Sequence, residues 1–236
     1  MNYVVTGFDE SYWKNWGSSW VYSLREIAGY REEVIVIDCG LSSNTINKLK
    51  EKEVRVVENK ENENIKLRTL KTVSTLAKES KGIFIYWDAD VFFESKIDDI
   101  FKEASSKIIL SKNKNFGLIG GPNYQWAFIE DVIRFNQLVQ KKSSTAGLSQ
   151  CLIENFQGFI NYVSNTWNFV GLNELSERKL EIDGERPKVI HPTGGLKYSL
   201  ERKGFLFHER KIPGYLEFLE KGSSISRKLI KKANKN

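Results

Sequence analysis

The sequence of 236 residues has little of what defines several classes of protein. It holds two cysteines, Cys39 and Cys151, too few for a disulfide framework, which predicts free thiols in a reducing compartment. No apolar run approaches the roughly 18 residues that a membrane helix needs. The amino terminus has no basic region followed by a long apolar stretch, so no secretory signal peptide is expected. These absences predict a cytoplasmic protein.

The sequence also lacks a basic surplus outside its carboxyl terminus. The formal net charge is +6, and all of the excess falls in residues 221–236, which contain no acidic residue. A nucleic-acid-binding domain would concentrate basic residues on one face of its fold. We therefore expect no nucleic-acid partner, one domain over residues 1–220, and a separate basic tail over residues 221–236.

Short apolar runs alternate with helical patterns through the first half of the chain. The runs lie at residues 4–6, 34–37, 54–57 and 83–87. The second of them is apolar at every position, which is typical of a strand buried on both faces of a parallel sheet. This alternation predicts an α/β fold with a mostly parallel, Rossmann-like central sheet and helices on both faces.

The second half of the chain shows a weaker pattern. Residues 107–111 and 116–119 have the character of strands, and Gly120-Gly121-Pro122-Asn123 after them is typical of a turn. A helical pattern follows from Phe128, and Val189-Ile190 is expected to form a strand that leads into His191.

The pair Asp88 and Asp90 directly follows the run 83–87, at the carboxyl end of a predicted strand. Residues two apart in an extended chain point to the same side, so the two carboxylates would repel each other without a cation. Oxygen ligands of this kind suit Mg²⁺ or Mn²⁺, and ligands bind beyond the carboxyl ends of parallel strands. The alternative interpretation is a helix cap with a solvated acid.

His191 is one of two histidines and precedes a glycine-containing segment that ends at Lys197. An imidazole at the end of a strand can bind a metal and would favour Mn²⁺ over Mg²⁺. Gly194 and Gly195 would allow backbone amides to approach a phosphate closely, and Lys197 would neutralise charge on a departing diphosphate. The alternative is a tight turn with a surface lysine and a hydrogen-bonded histidine.

Asp9 and Tyr12 follow the first predicted strand. There an aromatic face can stack on a nucleotide base and a carboxylate can accept a hydrogen bond from it. The alternative is that Asp9 only caps the helix that begins after it.

Together, these motifs resemble glycosyltransferase family 8, the retaining nucleotide-sugar enzymes related to glycogenin and bacterial lipopolysaccharide galactosyltransferases. The matching segments are residues 8–12, 84–91, 149–152, 167–169 and 191–197. The resemblance implies a GT-A fold and transfer of a sugar, mostly from a UDP-sugar, to a hydroxyl of a glycan or glycolipid. The implied ligands of Mn²⁺ (or Mg²⁺) are Asp88, Asp90 and His191. The implied donor contacts are Asp9 and Tyr12 for the base, Arg68 and Gln150 for the sugar, and Gly194, Gly195 and Lys197 for the diphosphate.

The sequence departs from the family pattern at three places. Ser149 stands where an aspartate usually precedes the glutamine, residues 120–123 replace an Asn-x-Gly motif of the acceptor site, and no Pro-Trp follows Lys197. Two other functions remain open on the sequence alone. One is a haloacid-dehalogenase-like phosphatase with Asp88 as nucleophile, although that motif wants Thr or Val where the chain has Phe92. The other is a nucleotide-sugar-binding module without catalysis.

The basic tail has an amphipathic pattern. Ile225, Leu229 and Ile230 fall on one side of a short helical projection and the basic residues fall largely on the other. This pattern predicts reversible peripheral contact with an anionic membrane, and the alternative is a solvated, frayed terminus.

Overall fold

The computed structural model describes residues 1–59, 61, 63–138, 145–169 and 185–191. A seven-stranded sheet with the order β3-β2-β1-β4-β7-β6-β8 forms its centre, and β5 and β9 form a separate two-stranded ribbon. The strands are β1 (Asn2–Phe8), β2 (Glu33–Asp38), β3 (Val54–Glu58), β4 (Ile83–Trp87), β5 (Phe92–Phe93), β6 (Ile108–Ser111), β7 (Leu118–Pro122), β8 (Ile160–Val163) and β9 (Val189–Ile190).

The first four strands all run parallel, as the alternation of apolar runs and helical patterns predicts. Strand β7 is antiparallel to both β4 and β6, and β6 is parallel to β8. The expectation of a mostly parallel α/β sheet is therefore confirmed. The parallel strands β1, β2 and β4 end at one edge of the sheet, and the candidate site lies there.

The helical segments flank this sheet. The first runs continuously over residues 10–27, with π-helical turns at Trp13–Gly17 and Ser23–Ile27. The other helices are Ser43–Glu51, Ile65–Glu79, Asp98–Glu103, Asn123–Leu138 and Thr145–Asn155, with 3₁₀ turns at Gln157–Phe159 and Asn165–Trp167. None of these helices has the length and apolar character of a membrane-spanning segment.

Two apolar cores confirm that helices cover both faces of the sheet. Val4 packs into one core with Trp20 of the first helix, whereas Val5 packs into the other with Leu70 of helix Ile65–Glu79. Neighbouring residues of a strand point to opposite faces, so each parallel strand contributes to both cores. Both cysteines are buried and free, as their number predicts.

The turn predicted over residues 120–123 is wrong. Gly120, Gly121 and Pro122 belong to β7 and pair with β4, and Asn123 begins the next helix. A Cβ atom on Gly120 would lie 2.9 Å from Cγ1 of Ile85, so the glycine lets another side chain pack closely against the strand. The same glycine that signals a turn in a sequence serves here for close packing.

The ribbon carries His191 to the carboxyl end of β4. Strand β5 follows the Asp88-Ala89-Asp90 segment and pairs antiparallel with β9, which ends one residue before His191. The backbone N–H of Phe169 donates to the carbonyl of Val189, and the N–H of His191 donates to the carbonyl of Phe169. The strand expected over Val189–Ile190 is therefore confirmed, and it lies outside the main sheet.

Candidate functional site

The three predicted metal ligands meet at one point. Asp90 and His191 are buried, with 6% and 5% of their surface exposed, and Asp88 is partly buried. His191 Nε2 lies 3.2 Å from Oδ1 of Asp90 and 3.6 Å from Oδ2 of Asp88. One ligand atom from each residue falls within 4.8 Å of the others. Two carboxylate oxygens and one imidazole nitrogen therefore converge, as a divalent cation requires.

The imidazole of His191 is held from two sides. Its Nδ1 lies 3.1 Å from Oδ1 of Asn168, which is completely buried. Gly117 faces the ring so closely that a Cβ atom there would overlap Nδ1 and Cε1. The N–H of Asp88 donates to the carbonyl of Gly117 at 2.9 Å, so the same glycine contacts two of the three ligand residues.

Lys66 is a site residue that the sequence analysis missed. Its Nζ lies 2.7 Å from Oδ1 and 2.9 Å from Oδ2 of Asp88, and both side chains are about one-fifth exposed or less. The ammonium also lies 5.7 Å from the ring centroid of Tyr86 and 5.6 Å from that of Phe116. A lysine in the first turn of helix Ile65–Glu79 is unfavourable at the positive end of the helix dipole, and this was the available signal.

Tyr86 supports the same carboxylate. Its hydroxyl donates a hydrogen bond of 2.5 Å to Oδ1 of Asp88. Burial, followed by the negative charge of Asp88, raises the pKa of Tyr86 well above its usual value. The phenol therefore stays protonated and remains a donor, which fixes the orientation of Asp88.

A cavity of about 350 Å³ opens beside the two aspartates. Its lining residues are Gly7, Tyr12, Asn64, Ile65, Lys66, Tyr86, Asp88, Ala89 and Asp90. Tyr12 thus lines the same cavity as the two aspartates, and its contact with a base stays a prediction. Asp9 accepts a 2.7 Å hydrogen bond from the N–H of Tyr12, so it caps the first helix, and its contact with a base stays a prediction.

Two further predicted site residues, Arg68 and Gln150, make other contacts. Arg68 donates to the backbone carbonyl of Asn59 at 3.3 Å, and the exposed Gln150 donates to Glu154 at 2.6 Å. Their contacts with a donor sugar stay predictions. The predicted diphosphate ligands Gly194, Gly195 and Lys197, and the basic tail, lie outside the described residues.

Comparison with known proteins gives matches of structure alone. No protein-family model and no curated protein matches the sequence. The galactosyltransferase LgtC, in complex with donor and acceptor sugar analogues, is similar over 89% of this chain and 98% of its own, with a TM-score of 0.60 and 14% identity. Apo GlyE of Streptococcus pneumoniae TIGR4 is similar over 97% of this chain and 59% of its own, with a TM-score of 0.63 and 11% identity.

A third solved structure points the same way. The apo bifunctional glycosyltransferase WbbM is similar over 81% of this chain and 45% of its own, with a TM-score of 0.54 and 12% identity. The chain has the GT-A fold. At these identities the likeness concerns the GT-A fold, and it confirms the fold class that the sequence motifs predict.

Proposed function

We propose that this chain is a metal-dependent glycosyltransferase with a nucleotide sugar, most often a UDP-sugar in such enzymes, as its donor. The observation that carries the proposal is the meeting of Asp88, Asp90 and His191 beside a cavity of about 350 Å³. This cavity lies at the carboxyl end of the parallel strands, where sheets of this class bind their ligands.

The residues present fit a divalent cation. A set of two carboxylate oxygens and one imidazole nitrogen suits Mn²⁺, with Mg²⁺ as the other candidate. When bound, the cation would bind the diphosphate and stabilise the charge of the leaving nucleotide. The hydrogen bond from Tyr86 orients the Asp88 carboxylate, and the ammonium of Lys66 pairs with the same carboxylate while no cation is bound.

The other predicted site residues are assigned to the base, the sugar and the diphosphate of the donor. We assign the base to Asp9 and Tyr12, of which Tyr12 lines the wall of the cavity. We assign the donor sugar to Arg68 and Gln150, and the diphosphate to Gly194, Gly195 and Lys197. The acceptor hydroxyl would attack the anomeric carbon on the face from which the diphosphate leaves, which retains the configuration.

The acceptor is proposed from the fold and from the tail. LgtC, which shares the fold, was solved with donor and acceptor sugar analogues. We propose a glycan or glycolipid hydroxyl as the acceptor for this chain. This function is preferred to the phosphatase because the similar structures are glycosyltransferases.

Calorimetry with UDP, with and without Mn²⁺, tests the proposal. We expect binding that depends on Mn²⁺ and is lost in Asp90→Ala. It should persist in the control Asp99→Ala, because Asp99 is an exposed residue paired with Lys102. Metal-independent binding, or unchanged binding in Asp90→Ala, would contradict the metal site.

A turnover assay on the same proteins separates the alternatives. We expect transfer or slow hydrolysis of a nucleotide sugar. Tight UDP binding with neither reaction would identify a binding module. Hydrolysis of a generic phosphomonoester without any response to UDP would identify a phosphatase.

The tail proposal concerns residues 221–236, which we treat as separate from the domain over 1–220. Each basic residue near an anionic surface contributes about 1 kcal/mol, so reversible attachment from the cytoplasmic side is expected. Deleting residues 223–236 should abolish sedimentation with anionic vesicles. Neither the full-length nor the truncated protein should sediment with vesicles of neutral lipid. Unchanged sedimentation of the truncated protein with anionic vesicles would contradict the proposed membrane contact.

A further inference from the structure

We propose that Asn168 is a positioning residue that fixes the tautomer of His191, so that Nε2 presents its lone pair to a cation. The inference rests on the proposed metal site. It assigns to Asn168 a role in metal selectivity beyond packing, and it follows from the hydrogen bonds around two buried side chains.

The orientation of the Asn168 amide is determined by its neighbours. Its Nδ2 lies 3.2 Å from Oδ1 and 3.4 Å from the backbone oxygen of Asn115. That Oδ1 accepts a 2.7 Å hydrogen bond from the N–H of Gly117, so it is an acceptor. Because neither oxygen of Asn115 can donate, the NH₂ group of Asn168 must face them.

The same orientation determines where His191 carries its hydrogen. Oδ1 of Asn168 faces Nδ1 of His191 at 3.1 Å, and an amide oxygen only accepts. The hydrogen of this bond therefore belongs to Nδ1. A neutral imidazole has one such hydrogen, so Nε2 keeps its lone pair.

The lone pair is directed at the carboxylates. Nε2 lies 3.2 Å from Oδ1 of Asp90, and this carboxylate oxygen also carries no hydrogen when ionised. Two electron-rich atoms then face each other, which a cation between them relieves. Outer partners that fix the ring of a metal-binding histidine commonly influence affinity by 10- to 100-fold.

The side-chain amide of Asn168 cannot readily flip to present Nδ2 to the ring of His191. It is fully buried, and its backbone carbonyl accepts a 2.8 Å hydrogen bond from Nδ2 of Asn113. Its N–H donates to the carbonyl of Asn165 at 3.2 Å. Flipping the amide would also place an oxygen against the two Asn115 oxygens.

Nitrogen-15 NMR of metal-free protein tests the tautomer directly. In His208→Gln, His191 is the sole histidine, since the sequence holds two. We expect the neutral ring to carry its hydrogen on Nδ1. In Asn168→Leu with His208→Gln it should move towards Nε2, where Asp90 remains as acceptor. A hydrogen on Nε2 in the His208→Gln protein would overturn the inference.

Titration with Mn²⁺ and with Mg²⁺ tests the consequence. Asn168→Leu should weaken Mn²⁺ binding about 10- to 100-fold and Mg²⁺ binding less, because the nitrogen ligand favours Mn²⁺. Ser111→Ala is the matched control: it removes one 3.3 Å partner of Asn168 Nδ2 but leaves Oδ1 at the ring. Ser111→Ala should keep the preference for Mn²⁺ over Mg²⁺.

A double variant separates positioning from general stability. Adding Asn168→Leu to His191→Ala should cause no further loss of Mn²⁺ affinity, because the residue acts through the ring. An additive loss, or an equal loss for both ions in Asn168→Leu alone, would overturn the inference and leave the metal site standing. If the unaltered protein binds neither ion, both the proposed function and this inference fail. If Asn168→Leu does not fold, the tautomer in His208→Gln decides.

Discussion

At the scale of single residues, Gly117 shows how little room the site has. It touches the ring of His191, and its carbonyl accepts the N–H of Asp88. We predict that Gly117→Ala displaces the ring, lowers Mn²⁺ affinity by about tenfold or more and destabilises the fold by about 1–3 kcal/mol. Calorimetry and chemical denaturation measure both effects.

Gly158→Ala is the control for that substitution, because a Cβ atom at Gly158 meets nothing within 4 Å. Gly158→Ala should change neither the Mn²⁺ affinity nor the stability of the fold. Equal metal affinity in the two alanine variants would show that the ring accommodates the added carbon, and that Gly117 does not position it.

Lys66 supplies a second prediction at this scale. Its ammonium contacts both oxygens of Asp88 and therefore competes with a cation for that carboxylate. Lys66→Met should tighten Mn²⁺ binding by about three- to tenfold, since the ion no longer displaces the ion pair. The control is Lys71→Met. Lys71 lies on the same helix as Lys66, and this substitution breaks its ion pair with Glu63. Weaker binding in Lys66→Met would contradict this competition.

The ligands and their supports differ in how far the sequence predicts them. Asp88 and Asp90 share a short motif after an apolar strand, and the expectation that His191 joins them as a metal ligand comes from the resemblance to glycosyltransferase family 8. Lys66 carries no such motif, and Asn168 lies in the matching segment 167–169, for which the resemblance implies no role. Their contacts depend on how a helix and a 3₁₀ turn pack against the sheet, which local patterns do not encode.

At the scale of elements, the β5–β9 ribbon joins the two halves of the site. Backbone hydrogen bonds link Glu94 to Lys188 next to the paired strands, and Phe169 to Val189 of β9. A bound cation would join the two strands at the end of the ribbon where β5 begins and β9 ends, so openings that separate Asp90 from His191 become rarer. At 100 times the dissociation constant, exchange of these amide hydrogens should slow about 100-fold.

Hydrogen exchange with and without Mn²⁺ measures this effect at the N–H groups of Glu94, Phe169 and His191. The N–H of Lys52, bonded to Leu49 at the end of another helix, should be unaffected. In Asp90→Ala the protection of the ribbon should disappear. Protection that spreads equally to Lys52 would indicate global stabilisation instead of a link across the ribbon.

The sequence predicts helices and strands correctly where the spacing of the hydrophobic residues and the length of the segment indicate the same type of element. The parallel strands β1–β4 contain short, mainly apolar runs, and helix Ile65–Glu79 has a clear apolar stripe. Strand β7 was missed at its end because Gly120 and Gly121 serve close packing, a use that a sequence cannot distinguish from a turn. The two-residue strands of the ribbon are too short to show any period.

At the scale of the whole molecule, the metal site exists only in the folded chain. Asp88 and Asp90 follow β4, whereas His191 follows β9, much later in the chain. An unfolded chain does not hold these ligands together, so binding energy adds to folding stability. At 100 times the dissociation constant the gain is about 2.7 kcal/mol, which corresponds to a rise in melting temperature of about 5–10 °C.

Thermal unfolding over a range of Mn²⁺ concentrations measures this gain. The melting temperature should rise with the logarithm of the ion concentration once the site is saturated, and should stay constant in both Asp90→Ala and His191→Ala. Asp99→Ala should follow the unaltered protein, since its carboxylate pairs with Lys102 and is not among the clustered ligands. A rise that persists in His191→Ala would show that the two aspartates alone bind the ion, and that the ribbon's delivery of the imidazole adds nothing to its affinity.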